Sequence, residues 1–242
     1  MSIDDVIADR VGSWKKEKLE SWENSIPKTL RGYDLDSLLK TRWSGKLTAV
    51  QTKNFKTYLD KPTMFLVLCG PSGMGKTVMG IEVCRRLLEE NVCSTALYET
   101  APQMFADLSF GFREDIDAID KYTSPDVLFI DDIGSTVMSM SETRKDGLWA
   151  IINQRWAMGK YTIFSTNLPP ISNKVTGDGE REQSLMSYLG DSIWDRVVSS
   201  YTLITFSGTS LRKKQPKKRT TKTTTTRRSR RRNSNGDESG SE

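Results

Sequence analysis

Two short stretches of this chain hold residue types that can do chemistry together. The first is Gly70-Pro71-Ser72-Gly73-Met74-Gly75-Lys76-Thr77, in which three glycines lead into a lysine and a hydroxyl. It fits the pattern G-x-x-x-x-G-K-[ST] in full. Glycines let successive main-chain N–H groups curl around an anion, and the helix that follows adds the positive end of its dipole. That arrangement holds a triphosphate: Lys76 bridges the β- and γ-phosphates, and the Thr77 hydroxyl binds Mg²⁺. The second stretch, Asp126-Val127-Leu128-Phe129-Ile130-Asp131-Asp132-Ile133-Gly134, runs four apolar residues into two adjacent carboxylates. Side by side such groups repel, and burying one without a counter-charge is costly. A metal ion at the first stretch resolves the conflict. Asp131 then faces the Mg²⁺ held by Thr77, and Asp132 is placed to orient an attacking water. The pair of motifs reads as an ATP site.

Hydrolysis also needs a sensor of the γ-phosphate and extra positive charge. Phe164-Ser165-Thr166-Asn167-Leu168-Pro169 ends a strand-like run on Asn167, whose amide can bond the water or the γ-phosphate; a turn asparagine before Pro169 is the plainer alternative. Arg196 and Arg212 flank the last apolar run.

The elements that must position these groups follow from periodicity. Apolar runs at 64–69, 94–98, 127–131, 161–165 and 201–206 read as strands. Helical spacing occupies 3–22, 46–60, 76–90, 101–109, 142–158 and 181–198, with 28–45 irregular or briefly helical. Strands alternating with helices predict an α/β fold, a parallel sheet flanked by helices.

The formal net charge of +5 is unevenly placed. Residues 211–242 hold 12 Lys/Arg and 3 Asp/Glu, a balance of +9, and the other 210 residues hold 24 basic and 28 acidic side chains, a balance of −4. The end segment KKQPKKRTTKTTTTRRSRRRNSNGDESGSE has almost nothing to bury and predicts a disordered basic tail. The chain divides into an N-terminal helical extension (1–45), a nucleotide-binding domain (46–210) and that tail (211–242). Three dispersed cysteines and no histidine argue against a zinc site and against histidine acid–base catalysis. No run reaches the length of a membrane span and the start is acidic and polar, so a cytoplasmic protein is expected.

GPSGMGKT, LFIDDIG, ETRKDGLWAIINQRW, FSTNLP and DRVVSSYTLITFSGTSLR occur in an order that resembles the DnaC/DnaI helicase loaders, AAA+ ATPases with the transposition helper IstB as a close relative. The resemblance runs from about residue 26 to 212. It implies an AAA+ sheet without a C-terminal helical lid, and ATP and Mg²⁺ as ligands. It makes Asn167 the first sensor, Arg196 an arginine finger acting across a subunit boundary and Arg212 the second sensor. It further implies a hexameric replicative helicase and single-stranded DNA as partners, and self-assembly. Asp132 departs from the Asp-Glu of many relatives and is one methylene shorter. Phe112 and Arg113, after the second helix of the domain, fall where loaders contact single-stranded DNA. The N-terminal helix, with Ile7, Val11, Trp14 and Trp22, either enters a groove on the helicase or packs on its own ATPase body. The alternatives are an IstB-like helper, a P-loop kinase and a DNA-binding adaptor in which ATP is structural.

Overall fold

The apolar runs form one sheet in the computed structural model, which describes residues 3–33, 35–41, 43, 47–111, 117–135, 141–208 and 210. Strands β1 (Phe65–Cys69), β2 (Ala96–Thr100), β3 (Val127–Ile133), β4 (Tyr161–Thr166) and β5 (Tyr201–Thr205) lie in the order β2-β3-β4-β1-β5. Every pairing is parallel. β1 is buried along its whole length between β4 and β5. A strand covered on both faces gains nothing from a polar alternate residue, which is why FLVLC is a continuous apolar run.

Helices cover both faces, as expected. Helix α1 (Ile3–Ser25), α2 (Leu35–Thr41), α3 (Ala49–Asp60) and α4 (Lys76–Glu89) share one apolar layer with Leu66, Leu68, Phe129, Ile163 and Ile204. Helix α5 (Ala101–Gly111), α6 (Asp117–Thr123), α7 (Glu142–Ala157), α8 (Leu185–Leu189) and α9 (Asp191–Ser199) share the other with Phe65, Val67, Leu128, Ile130 and Phe164. Helix α3 starts with a reciprocal cap: the Gln51 N–H donates to Thr48 Oγ1 and the Thr48 N–H donates to Gln51 Oε1.

The structure departs from the periodicity in four places. β2 begins two residues late, because the N–H groups of Ser94 and Thr95 donate to Asp126 Oδ2, at 2.8 and 3.1 Å, in the turn ahead of β3. β3 runs two residues longer, through both aspartates to the buried Ile133. The helix expected over 181–198 breaks at Gly190 (φ 83°) into α8 and α9; residues 171–184 lie outside any helix and hold one antiparallel bridge, Val175 to Arg181. Helix α6 was not foreseen.

One buried charge ties the base of the sheet together. Arg155 on α7 is fully buried, and its guanidinium donates to the carbonyls of Tyr122 (3.1 Å), Pro125 (2.7 Å), Asp126 (3.3 Å) and Tyr161, and to Thr162 Oγ1 (2.9 Å). Burial pushes its pKa down to about 10, so it stays charged at neutral pH.

Helix α1 is divided in its loyalties. Its C-terminal half packs on α4 and β2, burying Trp22, with Ile26 buried just beyond its end. Lys18 Nζ donates to Asn91 Oδ1 and the Cys93 carbonyl at 3.0 and 3.1 Å. Val11 and Trp14 stay exposed, 52% and 73%. The side chain of Ile7 lies outside the described residues. Among the described residues no helix is long and apolar enough to cross a membrane.

Candidate nucleotide site

The C-terminal ends of β1, β3 and β4 lie side by side, and the phosphate-loop motif leaves from the first of them. In an open parallel sheet this end is where ligands bind. Helix α4 starts straight after Gly75, which sits at φ 90°. Only glycine takes this conformation cheaply, and a Cβ there would meet the Trp43 ring at 2.9 Å. Gly70 has the same need: its Cβ would lie 2.4 Å from the Phe206 carbonyl oxygen.

Lys76 is buried and reaches across the loop. Its ammonium donates to the carbonyls of Gly70 (2.7 Å) and Pro71 (3.0 Å) and to Asn167 Oδ1 (2.8 Å) beyond the tip of β4. The Thr77 hydroxyl donates to Asp131 Oδ1 at 3.1 Å. Gly70 through Thr77, Asp131 and Asn167 are therefore brought to one place.

Asp131 and Asp132 occupy a β-bulge. Ile130 pairs with Phe164 and Ile133 with Thr166, so the two aspartates on β3 stand opposite the single residue Ser165 on β4. A bulge re-aims side chains, and here it sends the two carboxylates different ways: Asp131 is 3% exposed, Asp132 is exposed. Asp132 sits in the left-handed region at φ 57°, which Asp tolerates better than most side chains. Ser165 serves both residues. Its hydroxyl donates to Asp131 Oδ1 and accepts the Asp132 N–H at 3.0 Å. The Tyr98 hydroxyl on β2 donates to Asp131 Oδ2 at 3.2 Å.

Burial raises the Asp131 carboxyl above its ordinary range and the charge of Asp132 adds to this; the bonds from Ser165, Thr77 and Tyr98 oppose it. Burial also raises the Tyr98 phenol, with help from Asp131. Asp131 is thus a buried carboxylate whose bonded neighbours here are hydroxyls rather than a cation. Hard oxygen donors from a carboxylate and a hydroxyl suit Mg²⁺, and glycines whose side-chain space is taken by neighbours suit a loop that closes on phosphate. The residues fit both groups: Thr77 and Asp131 would hold the metal and Gly70 to Thr77 the nucleotide.

Arg196 lies elsewhere. On α9 it is half-buried, its Nε donates to Asn153 Oδ1 at 3.3 Å, and its guanidinium lies 4.5 Å from the Trp156 ring centroid, both on α7. These partners belong to the face opposite α4. Of the remaining tryptophans, Trp43 and Trp194 are buried and Trp149 is 44% exposed. Phe112, Arg113, Arg212 and the basic segment 211–242 lie outside the described residues. Ser165, Tyr98 and Trp43 were not singled out from the sequence as parts of the site. Ser165 stands inside the quoted FSTNLP motif, but nothing local marks it as the residue opposite a bulge.

A parallel sheet of this order, with a phosphate loop after β1, an aspartate pair at the end of β3 and an asparagine after β4, is the fold of an AAA+ P-loop ATPase. Residues 46–219 match the family described as IstB-like ATP binding protein, and the chain belongs to that family. No curated protein sequence matches it significantly. Among solved structures it resembles the DnaC helicase loader (TM-score 0.53, 18% identity, covering 77% of this chain and 99% of that one). It is similar to DnaI (0.53, 20%, 79% and 99%). It is also similar to AMPPCP-bound DnaA from Aquifex aeolicus (0.50, 17%), covering 65% of this chain but only 45% of DnaA.

Proposed function

We propose that this protein is an ATP-dependent loader of a hexameric replicative helicase, acting in the cytoplasm and binding single-stranded DNA. In this reading ATP and Mg²⁺ occupy the Lys76–Thr77–Asp131 pocket, Asp132 and Asn167 act on the attacking water and the γ-phosphate, and Arg196 completes a neighbouring subunit's site. When bound, Mg²⁺ draws charge from the phosphate oxygens. The residues of this chain would hold and orient: Lys76, which donates to the Gly70 and Pro71 carbonyls, would give those bonds to phosphate oxygens, with Asn167 beside it. Arg212, as second sensor, and Phe112 with Arg113 and the tail, as DNA contacts, belong to the same proposal.

The observation that carries the loader reading is the split use of α1. The helix is anchored to the ATPase body by Trp22, while Val11 and Trp14 remain exposed, an apolar pair suited to a partner's groove. The reading also draws support from the motif order and from a fold spanning nearly all of the DnaC and DnaI chains. A second reading, an IstB-like transposition helper, is favoured by the family match itself.

The test is capture of a purified hexameric replicative helicase on immobilised protein with Mg·ATP, using wild type and Trp14→Ala. Retention by wild type, weakened about tenfold or more by the substitution on the scale of an interface hot spot, supports loading. Retention of a transposase and not of the helicase selects the helper.

A further inference from the structure

We infer that Trp43 is a positioning residue of the phosphate loop: its indole N–H holds the Met74 carbonyl and thereby aims the next main-chain N–H, that of Gly75, into the phosphate cradle. The inference rests on the nucleotide reading of the site and goes beyond it, since Trp43 lies outside the loop motif and ahead of β1.

Four contacts carry it. Trp43 is 1% exposed, and its Nε1–H donates to the Met74 carbonyl at 2.8 Å. A peptide unit is planar and trans, so its C=O and the following N–H point in opposite directions. Fixing the Met74 carbonyl on the indole side therefore directs the Gly75 N–H away from the indole, toward the concave side of the loop, where N–H groups gather on an anion. The ring also fills the space a side chain at residue 75 would need, so the left-handed turn at Gly75 is held by a hydrogen bond and by contact together. The indole also tilts against Phe206 (centroids 6.4 Å apart, planes at 58°). Phe206 is fastened in turn, its N–H donating to the Cys69 carbonyl at 2.7 Å at the root of the loop. The main-chain N–H of Trp43 donates to the Leu38 carbonyl at 2.9 Å, which ties the residue to α2. The segment ahead of the ATPase core thus reaches into the nucleotide cradle through one side chain.

A group that shapes the cradle before nucleotide arrives helps ground state and transition state alike. Its loss should raise KM and leave kcat nearly unchanged. The Met74–Gly75 peptide serves the β-phosphate region that ATP and ADP share, so both should weaken by the same factor. The loss of one hydrogen bond corresponds to about 3- to 10-fold in affinity.

The experiment titrates full-length protein with fluorescent ATP and ADP analogues in Mg²⁺ and measures steady-state hydrolysis, for wild type, Lys76→Ala and Trp43→Phe. Because phenylalanine also shrinks a buried ring, Trp43→benzothienylalanine, introduced at that position alone, keeps the ring volume and removes only the donor. The expected result is a 3- to 10-fold loss of both ATP and ADP affinity in both Trp43 variants, a matching rise in KM and kcat within about twofold of wild type. Benzothienylalanine protein that binds both nucleotides as wild type does, while Lys76→Ala does not bind, overturns the inference and leaves the nucleotide site standing. Wild-type protein that binds neither nucleotide overturns the site reading itself.

Discussion

Asp131 keeps a carboxylate where charge is least welcome: it is buried, faces three hydroxyls and has a second carboxylate as its neighbour in sequence. Its folded pKa is raised, chiefly by burial, so the sign of its contribution is set. Below its ordinary value near 3.8 the group is protonated in folded and unfolded chains alike and costs nothing. As pH rises through the raised value, the folded state alone carries an unfavourable charge and loses stability. Asp131→Asn removes that charge. Without metal and nucleotide, the variant should melt above wild type at pH 7, with the gap closing toward pH 4. It should also gain no melting temperature from Mg·ATP. Thermal scans across that pH range check both; a variant less stable than wild type at pH 7 would show that the hydroxyls fully compensate the charge. Asp132 differs in kind, being exposed and held in the left-handed region. A shorter side chain there suits the backbone as well as the chemistry, because asparagine and aspartate accept positive φ more readily than glutamate.

The bulge between β3 and β4 makes a single hydroxyl responsible for both the metal-ligand candidate Asp131 and the catalytic candidate Asp132. Ser165→Ala strips a donor from Asp131 and leaves the Asp132 N–H without its described acceptor. The expected cost is about 1–3 kcal/mol of stability, with ATP turnover falling much further than ATP affinity. Ser165→Thr, which restores a hydroxyl, should recover part of the turnover; equal losses of turnover and affinity would argue that the bulge serves binding alone. The same bulge marks where the sequence ceases to be readable. The phosphate loop, Asp131 and Asn167 were legible because each is demanded by local backbone chemistry: glycines for a turn, apolar runs for buried strands, a polar residue where a strand stops. The helix over 142–158 was legible almost to its last residue for the same reason. The partners of those groups were not. Ser165 meets Asp131 across 34 residues, Tyr98 meets it across 33, and Trp43 meets Met74 across 31, so no window of sequence contains both ends. The misplaced start of β2 has the same origin, a turn fastened from Asp126. The break at Gly190 was hidden by apolar spacing that continues across it on both sides.

At the scale of the whole molecule, one residue of the proposed mechanism lies away from the phosphate loop. Arg196 rests on Trp156 and Asn153 of its own α7, and a role in a neighbour's pocket would require it to leave them. If it completes a neighbour's pocket, Arg196→Ala and Asp132→Asn proteins should each bind ATP and hydrolyse almost none, and mixing them should restore activity. Random head-to-tail pairing in an equal mixture makes about a quarter of the interfaces whole, so recovery should approach that fraction of wild type; no recovery would place the finger elsewhere. Whatever such assembly moves, the foot of the sheet will not shear. The donations from Arg155 rivet the segment ahead of β3 to the first residues of β4. A stroke driven by nucleotide would then travel through the opposite rim and the helices hung from it, with β3 and β4 riding together as a fixed keel.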